Sequence, residues 1–370
     1  MRTPLPAGLA VLLLLLLTVT ASAAPAVADD RAKTPVERGA FAAMPAVYDL
    51  LATIRVDAFV VDGHRRVRVD QPIPVRGTAF GVAPGRVVAA RHVVAPSKRQ
   101  LIDDVVIATG LTGIPTDPSR VRIIGLRRTL SLIPARTAVD GAVTAAPIVA
   151  QLGRTSDEQG DLALLTIRDP DAPTLALDDS LTRGTRVAVV GFGDQPSAIP
   201  AVRPGRLDGP RRIERTNNDG FGAFDGDVLQ GDSGAPVVDA GGRAHGVVLR
   251  LRTTDAPVIA RAEAVRQLLE ADHVTGGESP TITDFRTAML AFWRRDYPAA
   301  ASDLAVLGDA DHDAPLVRQE QARATALVDA AYMLRTPSRG RGAVLGIGAM
   351  ATLVAAALGV MRLRRQPLLP

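Results

Sequence analysis

From Val56 onward, apolar and polar residues alternate in short runs broken by glycine and proline, the period-two pattern of half-buried strands. Val56 to Val61 and Arg66 to Val69 flank Asp62-Gly63 and read as a hairpin closed by Pro72 and Pro74. Arg76 to Val82 and Arg86 to Val94 read as a second hairpin across Pro84-Gly85, where proline fixes one φ and glycine supplies the other. Val47 to Ile54 fits either a short helix or a first strand. Further strand-like runs follow at Val105 to Ala108, Val121 to Leu126, Ile148 to Leu152, Leu162 to Ile167, Thr185 to Phe192 and Ala201 to Leu207. Pro236 to Asp239 and Ala244 to Leu251 form a hairpin over Gly241-Gly242, and Val258 to Glu263 is a last strand before a short closing helix, Val265 to Leu269. The pattern predicts an all-β unit over residues 45–272.

The rhythm changes after Leu269. Over 280–335 the apolar spacing is helical: Phe285, Met289, Phe292 and Trp293, then Tyr297, Ala300, Leu304 and Leu307, then Val317 to Leu334 after Pro315. Asp296-Tyr297 with Ala300 resembles half of a tetratricopeptide repeat, but a single unit falls below the roughly three that a stable array needs. A helical stalk is the expectation. Upstream, the polar, mixed stretch 29–44 reads as a linker.

Both ends carry targeting grammar. Arg2, the apolar stretch Leu9 to Thr18, and the small-residue contexts Ala21-Ser22-Ala23 and Ala26-Val27-Ala28 predict a secretory signal peptide over 1–28, cleaved after Ala23 or Ala28. Ala343 to Met361 is a 19-residue run without charge, long enough to cross a bilayer as a helix. Arg362, Arg364 and Arg365 follow it, and Arg335, Arg339 and Arg341 precede it, so arginines alone do not orient it. The signal peptide does: the body is exported, the membrane holds the chain through this helix, and 362–370 is a cytoplasmic tail.

Composition narrows the chemistry. There is no cysteine, which excludes disulfides and thiolate catalysis. Aromatics make up 3%, so a core must be built from Val, Leu, Ile and Ala. The net charge of +4 comes from interleaved arginines and acids and marks no nucleic-acid face, the local cluster Arg65, Arg66 and Arg68 lying on a hairpin strand. Neither lysine, Lys33 or Lys98, sits in a phosphate-binding loop, and no His-Glu-x-x-His is present. Gly346-Ile347-Gly348 with Ala351 mimics a dinucleotide fingerprint, yet falls within the expected membrane span. No cofactor or metal is implied.

The chemistry concentrates at Gln230 to Val238, Gln-Gly-Asp-Ser-Gly-Ala-Pro-Val-Val. A serine needs a neighbouring base and backbone N–H donors for an oxyanion, and Gly231 and Gly234 let the chain turn tightly around Ser233. This segment resembles the nucleophile loop of the chymotrypsin-like (trypsin-like) serine peptidases. His92, ending the apolar run Val87 to Val94, and Asp161, opening Asp161-Leu162-Ala163-Leu164-Leu165, are similar to that family's base and buried aspartate, in the family's order His, Asp, Ser.

The resemblance implies two β-barrels with a triad at their seam, oxyanion donors at Gly231 and Ser233, and a protein or peptide substrate. Asp103 and Asp104 are rival carboxylates, but they follow His92 too closely for the strands the family places between base and acid. Asp227, six residues before Ser233, occupies the place of the family's specificity-pocket acid, while Leu249 and Leu251, flanking Arg250, fall on the strand expected to form the pocket wall. His64, His245, His273 and His312 lack comparable surroundings. The expectation is a membrane-anchored extracytoplasmic serine endopeptidase, with an envelope protein as a further partner through the stalk. The alternative is a catalytically silent protease-like module that binds envelope proteins.

Overall fold

The computed structural model describes residues 34–62, 65–111, 117–135, 146–157, 160–180, 182–193, 199–211, 221–249, 257–309 and 315–335. Twelve strands close into two antiparallel barrels of six. The first contains β1 (Val47–Asp62), β2 (Arg65–Ala83), β3 (Arg86–Ala90), β4 (Val121–Pro134), β5 (Ile148–Thr155) and β6 (Leu162–Thr166), in the order β1-β2-β3-β6-β5-β4. The second contains β7 (Arg186–Gly191), β8 (Ala201–Arg211), β9 (Phe221–Asp225), β10 (Pro236–Val238), β11 (Ala244–Leu249) and β12 (Val258–Arg261), in the order β10-β11-β12-β9-β8-β7. Closure gives every strand a neighbour on each side, although β2 meets β3 only over Ala79 to Ala83 and β4 meets β5 only over Leu130 to Leu132.

The pleat decides which side chains build each core. Along β1, Ala52, Ile54, Val56, Ala58 and Val60 are buried while Leu51, Thr53 and Arg55 face solvent. The stretch Val47 to Ile54 is therefore strand, continuous with Val56 to Val61. On the outer face, Arg55 pairs with Asp70 at 2.6 Å and Arg68 with Asp57 at 2.6 Å, diagonal contacts across the β1–β2 ladder. The second core is Val187, Val189, Leu207, Phe224, Ala235, Val237, Val248 and Ile259, aliphatic as the scarcity of aromatics requires.

Three expectations need correction. The linker expected over 29–44 contains a helix, α1 (Pro35–Ala43); residues 29–33 lie outside the described residues. Thr34 caps it reciprocally: its hydroxyl accepts from the Glu37 N–H at 3.2 Å, and the Thr34 N–H donates to Glu37 Oε2 at 2.7 Å. Its Ala40, Phe41, Ala42 and Ala43 are buried.

The strand expected at Val105 to Ala108 is part of a helix. A one-turn helix, α2 (Arg91–Val94), follows β3, and α3 (Lys98–Leu111) succeeds it. Ser97 and Gln100 exchange bonds at the start of α3, and Leu101 and Val105, one turn apart, pack into the first-barrel cluster with Ile54 and Val56. Burial at i, i+4 defeats the local β preference of the valines.

The third correction concerns the stalk. The helices expected over 280–335 exist as α5 (Pro280–Trp293), α6 (Tyr297–Asp309) and α7 (Pro315–Arg335), following α4 (Ala262–Ala271), the closing helix. Rather than standing clear, α5 packs on α1 and on the β10–β11 turn of the second barrel. Phe41 of α1 stacks on Phe285 at 6.2 Å and meets Trp293 edge-on at 6.1 Å, with the Arg38 guanidinium 5.5 Å from the Trp293 ring. This compact unit ends at Ala324. Among the described residues no helix is long and apolar enough to cross a membrane, and the signal peptide expected over 1–28, the span expected at 343–361 and the tail expected over 362–370 lie outside them.

Candidate active site

Strand β3 runs fully buried from Val87 to Ala90 and turns into α2, so His92 projects from a rigid strand end and remains partly exposed. Opposite, Asp161 sits between β5 and β6 with φ +48, a left-handed conformation that aspartate tolerates better than most residues. That turn presents two acceptors to α2. The Asp161 carbonyl receives the Arg91 N–H at 2.8 Å, and its Oδ1 receives the His92 N–H at 2.9 Å. Oδ2 lies 2.6 Å from His92 Nδ1, which must carry the proton to donate to a carboxylate. Nε2 is then the basic nitrogen. Asp161 is 5% exposed, so solvent screens this contact little.

Ser233 lies in the loop before β10 and is 5% exposed. Its carbonyl accepts from the Thr78 N–H at 2.9 Å. Gly234 has φ +92, and a Cβ there would stand 2.0 Å from the Thr78 carbonyl oxygen and 3.0 Å from the nitrogen of Ala90, two residues before His92. Glycine is required because the loop passes over β2 and β3 at backbone contact. Among the described residues, neither the Gly231 N–H nor the Ser233 N–H donates to a protein acceptor. A cleft of about 460 Å³ opens beside them, with His92, Gln230, Gly231, Ile73 and Gln100 in its lining.

Three residues that the sequence reading missed hold this loop. Asp232 is fully buried, with Oδ1 accepting from Arg203 Nη1 at 2.8 Å and the Gly193 N–H at 3.0 Å, and Oδ2 accepting from the Leu229 N–H at 2.7 Å. Burial pushes its carboxyl above the usual range against the opposing pull of those N–H donors and the Arg203 cation. Buried Thr78 donates its hydroxyl to the Gly231 carbonyl at 2.9 Å and accepts the Phe192 N–H at 3.1 Å. Thr78 follows Gly77 at the start of a small-residue run, a faint local signal of close approach; Arg203 carries none.

Residues 77–247 match the trypsin-like peptidase domain. The chain carries a trypsin-like peptidase domain. Solved structures similar to it include the Rv3671c protease in its inactive form, at 20% identity over 64% of this chain and 93% of that one, with a TM-score of 0.41. The active form of that Mycobacterium tuberculosis protease matches at 19% identity over 65% and 86%, TM-score 0.40. The HtrA-type protease AlgW with a decapeptide matches at 18% over 64% and 67%, TM-score 0.42. Among curated proteins none matches significantly in sequence.

Of the other expected residues in this peptidase domain, Asp227 is exposed, Leu249 is wholly buried on β11, and Leu251 lies outside the described residues. Asp103 and Asp104 both lie on α3, Asp104 in the lining of the cleft. His245 does have acidic neighbours, Asp239 and Asp178.

Proposed function

We propose that the chain is a serine endopeptidase in which Ser233, His92 and Asp161 act together. The observation that carries this reading is the Asp161–His92 pair, which orients the imidazole and leaves Nε2 basic, set beside a loop whose Gly231 and Ser233 amides are uncommitted. Ser233 Oγ attacks the carbonyl carbon of a peptide bond as its proton passes to His92 Nε2. The developing oxyanion is stabilised by the Gly231 and Ser233 N–H groups. His92 returns the proton to the departing amine, the C–N bond breaks, and an acyl-enzyme remains on Ser233. Water, deprotonated by His92, then releases the acid and restores the serine.

Export through residues 1–28 and anchoring through 343–361 place this chemistry outside the cytoplasm at a membrane surface, and rest on the sequence pattern at the two ends. A protein or peptide is the substrate. The test is labelling of the full-length chain with a fluorophosphonate probe, which reports an activated serine without needing the right substrate. Labelling lost in both Ser233→Ala and His92→Ala is the expected result. An unlabelled but folded wild-type chain would overturn the reading in favour of a silent binding module.

A further inference from the structure

Away from Ser233, the turn between β10 and β11 gathers a set of metal-type donors. Asp239 follows β10, His245 lies on β11, and Asp178 lies on the segment that bridges β11 through Leu177 and Ala244. One donor atom from each of the three lies within 4.8 Å of the others. All three positions are fixed by main-chain bonds: the Asp178 N–H donates to the Ala244 carbonyl at 2.9 Å, the Ala244 N–H to the Ala176 carbonyl at 2.8 Å, and the Asp239 N–H to the Arg243 carbonyl at 3.1 Å.

His245 makes this more than an acidic turn. Its side chain is 3% exposed, Nδ1 has no hydrogen-bond partner, and the polar contact of Nε2 is with the Asp239 carboxylate. Leaving a buried polar group unpaired is costly, and such a group calls for an explanation. Nε2 points at the carboxylates, 3.2 Å from Asp239 Oδ2. Two ligands held at about 2.0–2.1 Å from a tetrahedral zinc ion stand roughly 3.3 Å apart, so this separation is the edge of such a site.

The carboxylates are also turned to suit. Asp239 Oδ1 is held by the Gly241 N–H at 2.8 Å and the Arg243 N–H at 3.0 Å, which leaves Oδ2 toward the imidazole. Asp178 Oδ1 is held by the Ser180 N–H at 2.8 Å, and its Oδ2 has Arg243 Nη1 at 3.6 Å. Ligating carboxylates oriented by backbone donors on the second oxygen are the usual arrangement of a built metal centre. Arg243 is more than half exposed and can swing into solvent when a cation arrives.

We propose that Asp178, Asp239 and His245 bind a divalent first-row transition ion of the zinc type. One imidazole and two carboxylates suit such an ion rather than calcium or magnesium, which take all-oxygen sets. Three protein ligands leave a fourth position to water. The site lies five residues beyond the end of the Gly231 to Gly234 loop along β10, and the same turn receives Gly39 of α1 and Arg286 of α5, whose Nη1 donates to the Gly241 carbonyl. Metal binding there staples the β10–β11 turn to the 176–178 segment beneath the docked helices.

Zinc ion alone is titrated calorimetrically into the chelator-stripped full-length chain, with thermal unfolding in parallel. One zinc per chain and a rise in Tm of about 5 °C at saturation are expected. Asp178→Asn weakens binding about 10-fold or more and Arg243→Gln tightens it. His245→Leu abolishes binding, and because it also removes the contact with Asp239, its zinc-dependent shift is read against its own metal-free Tm. Zinc binding that survives in both His245→Leu and Asp178→Asn, calcium binding as tight as zinc, or no zinc binding at all overturns the proposal. None of these outcomes depends on peptidase activity.

Discussion

Asp232 and Arg203 form a buried ion pair, 2.8 Å between Oδ1 and Nη1, directly behind the loop that carries Ser233. The aspartate side chain is fully buried and the arginine 14% exposed, so the pair works at low dielectric. Through Asp232 the arginine of β8 reaches the Leu229 and Gly193 amides, and with them the path of the chain into Gly231. The conformation of the Gly231 and Ser233 amides therefore depends on a residue about thirty positions upstream of Ser233.

Arg203→Gln leaves the Asp232 charge buried without its cation, at a cost of about 3–5 kcal/mol in stability. The sign with pH follows from the raised Asp232 value. A carboxyl whose folded pKa exceeds the unfolded 3.8 is ionised reluctantly in the native state, so stability falls as pH rises through that window. Removing Arg203 raises the folded value further. The stability gap between wild type and variant is then widest near about pH 8 and narrows toward about pH 4, which urea unfolding at the two pH values measures. The acid limb of any peptidase activity moves to higher pH in the variant, since the loop needs the carboxylate.

Thr78→Val keeps the shape and removes one hydroxyl. The Gly231 carbonyl loses its donor and the Phe192 N–H its acceptor, both in buried surroundings. The expected loss is about 1–3 kcal/mol for each stranded group, with probe labelling of Ser233 falling as well. Thr78→Ser restores most of both. A Thr78→Val chain with unchanged midpoint and unchanged labelling would show that the hydroxyl is dispensable.

Phe41→Ala tests the docking of the C-terminal helices. The ring is 4% exposed and packs on both Phe285 and Trp293, so its removal costs about 3–5 kcal/mol. Trp293 fluorescence is the readout, because it is the only tryptophan of the chain. An emission shift to the red without loss of the barrels reports release of α5. No shift and no loss of stability would mean that α1 is the linker its polarity suggested.

Legibility in the sequence followed range. The strands around His92 and Asp161 were readable because buried runs such as Val87 to Ala90 and Leu162 to Leu165 are short, apolar and bounded by turns. The helix α3 was misread because a four-residue apolar run satisfies both periods, although Ser97 and Gln100 carried the capping signal. The same signal, Thr34 with Glu37 and Pro35 between them, marked α1 inside a segment that composition called a linker. Arg203 was illegible for a different reason. Its partner is set by the closure of the second barrel, and nothing near Arg203 in the chain distinguishes it from the other arginines of β8, Arg206 and Arg211.

Asp161→Asn separates orientation from charge. The carboxylate now accepts two N–H groups from one residue, the His92 backbone at 2.9 Å and Nδ1 at 2.6 Å. An asparagine can keep the backbone contact through its carbonyl oxygen while turning its NH₂ toward Nδ1. That donor demands a lone pair on Nδ1, so the proton moves to Nε2 and the base facing the cleft is lost. Fold and thermal midpoint change little, since the left-handed φ of +48 suits asparagine as well as aspartate. The turnover number falls by about 10⁴-fold, the known scale for a triad held in the wrong tautomer. Activity regained at high pH is the further expectation, where hydroxide replaces the missing base. A variant that labels with fluorophosphonate at the wild-type rate near neutrality would remove Asp161 from the catalytic unit and return attention to Asp104 in the cleft lining.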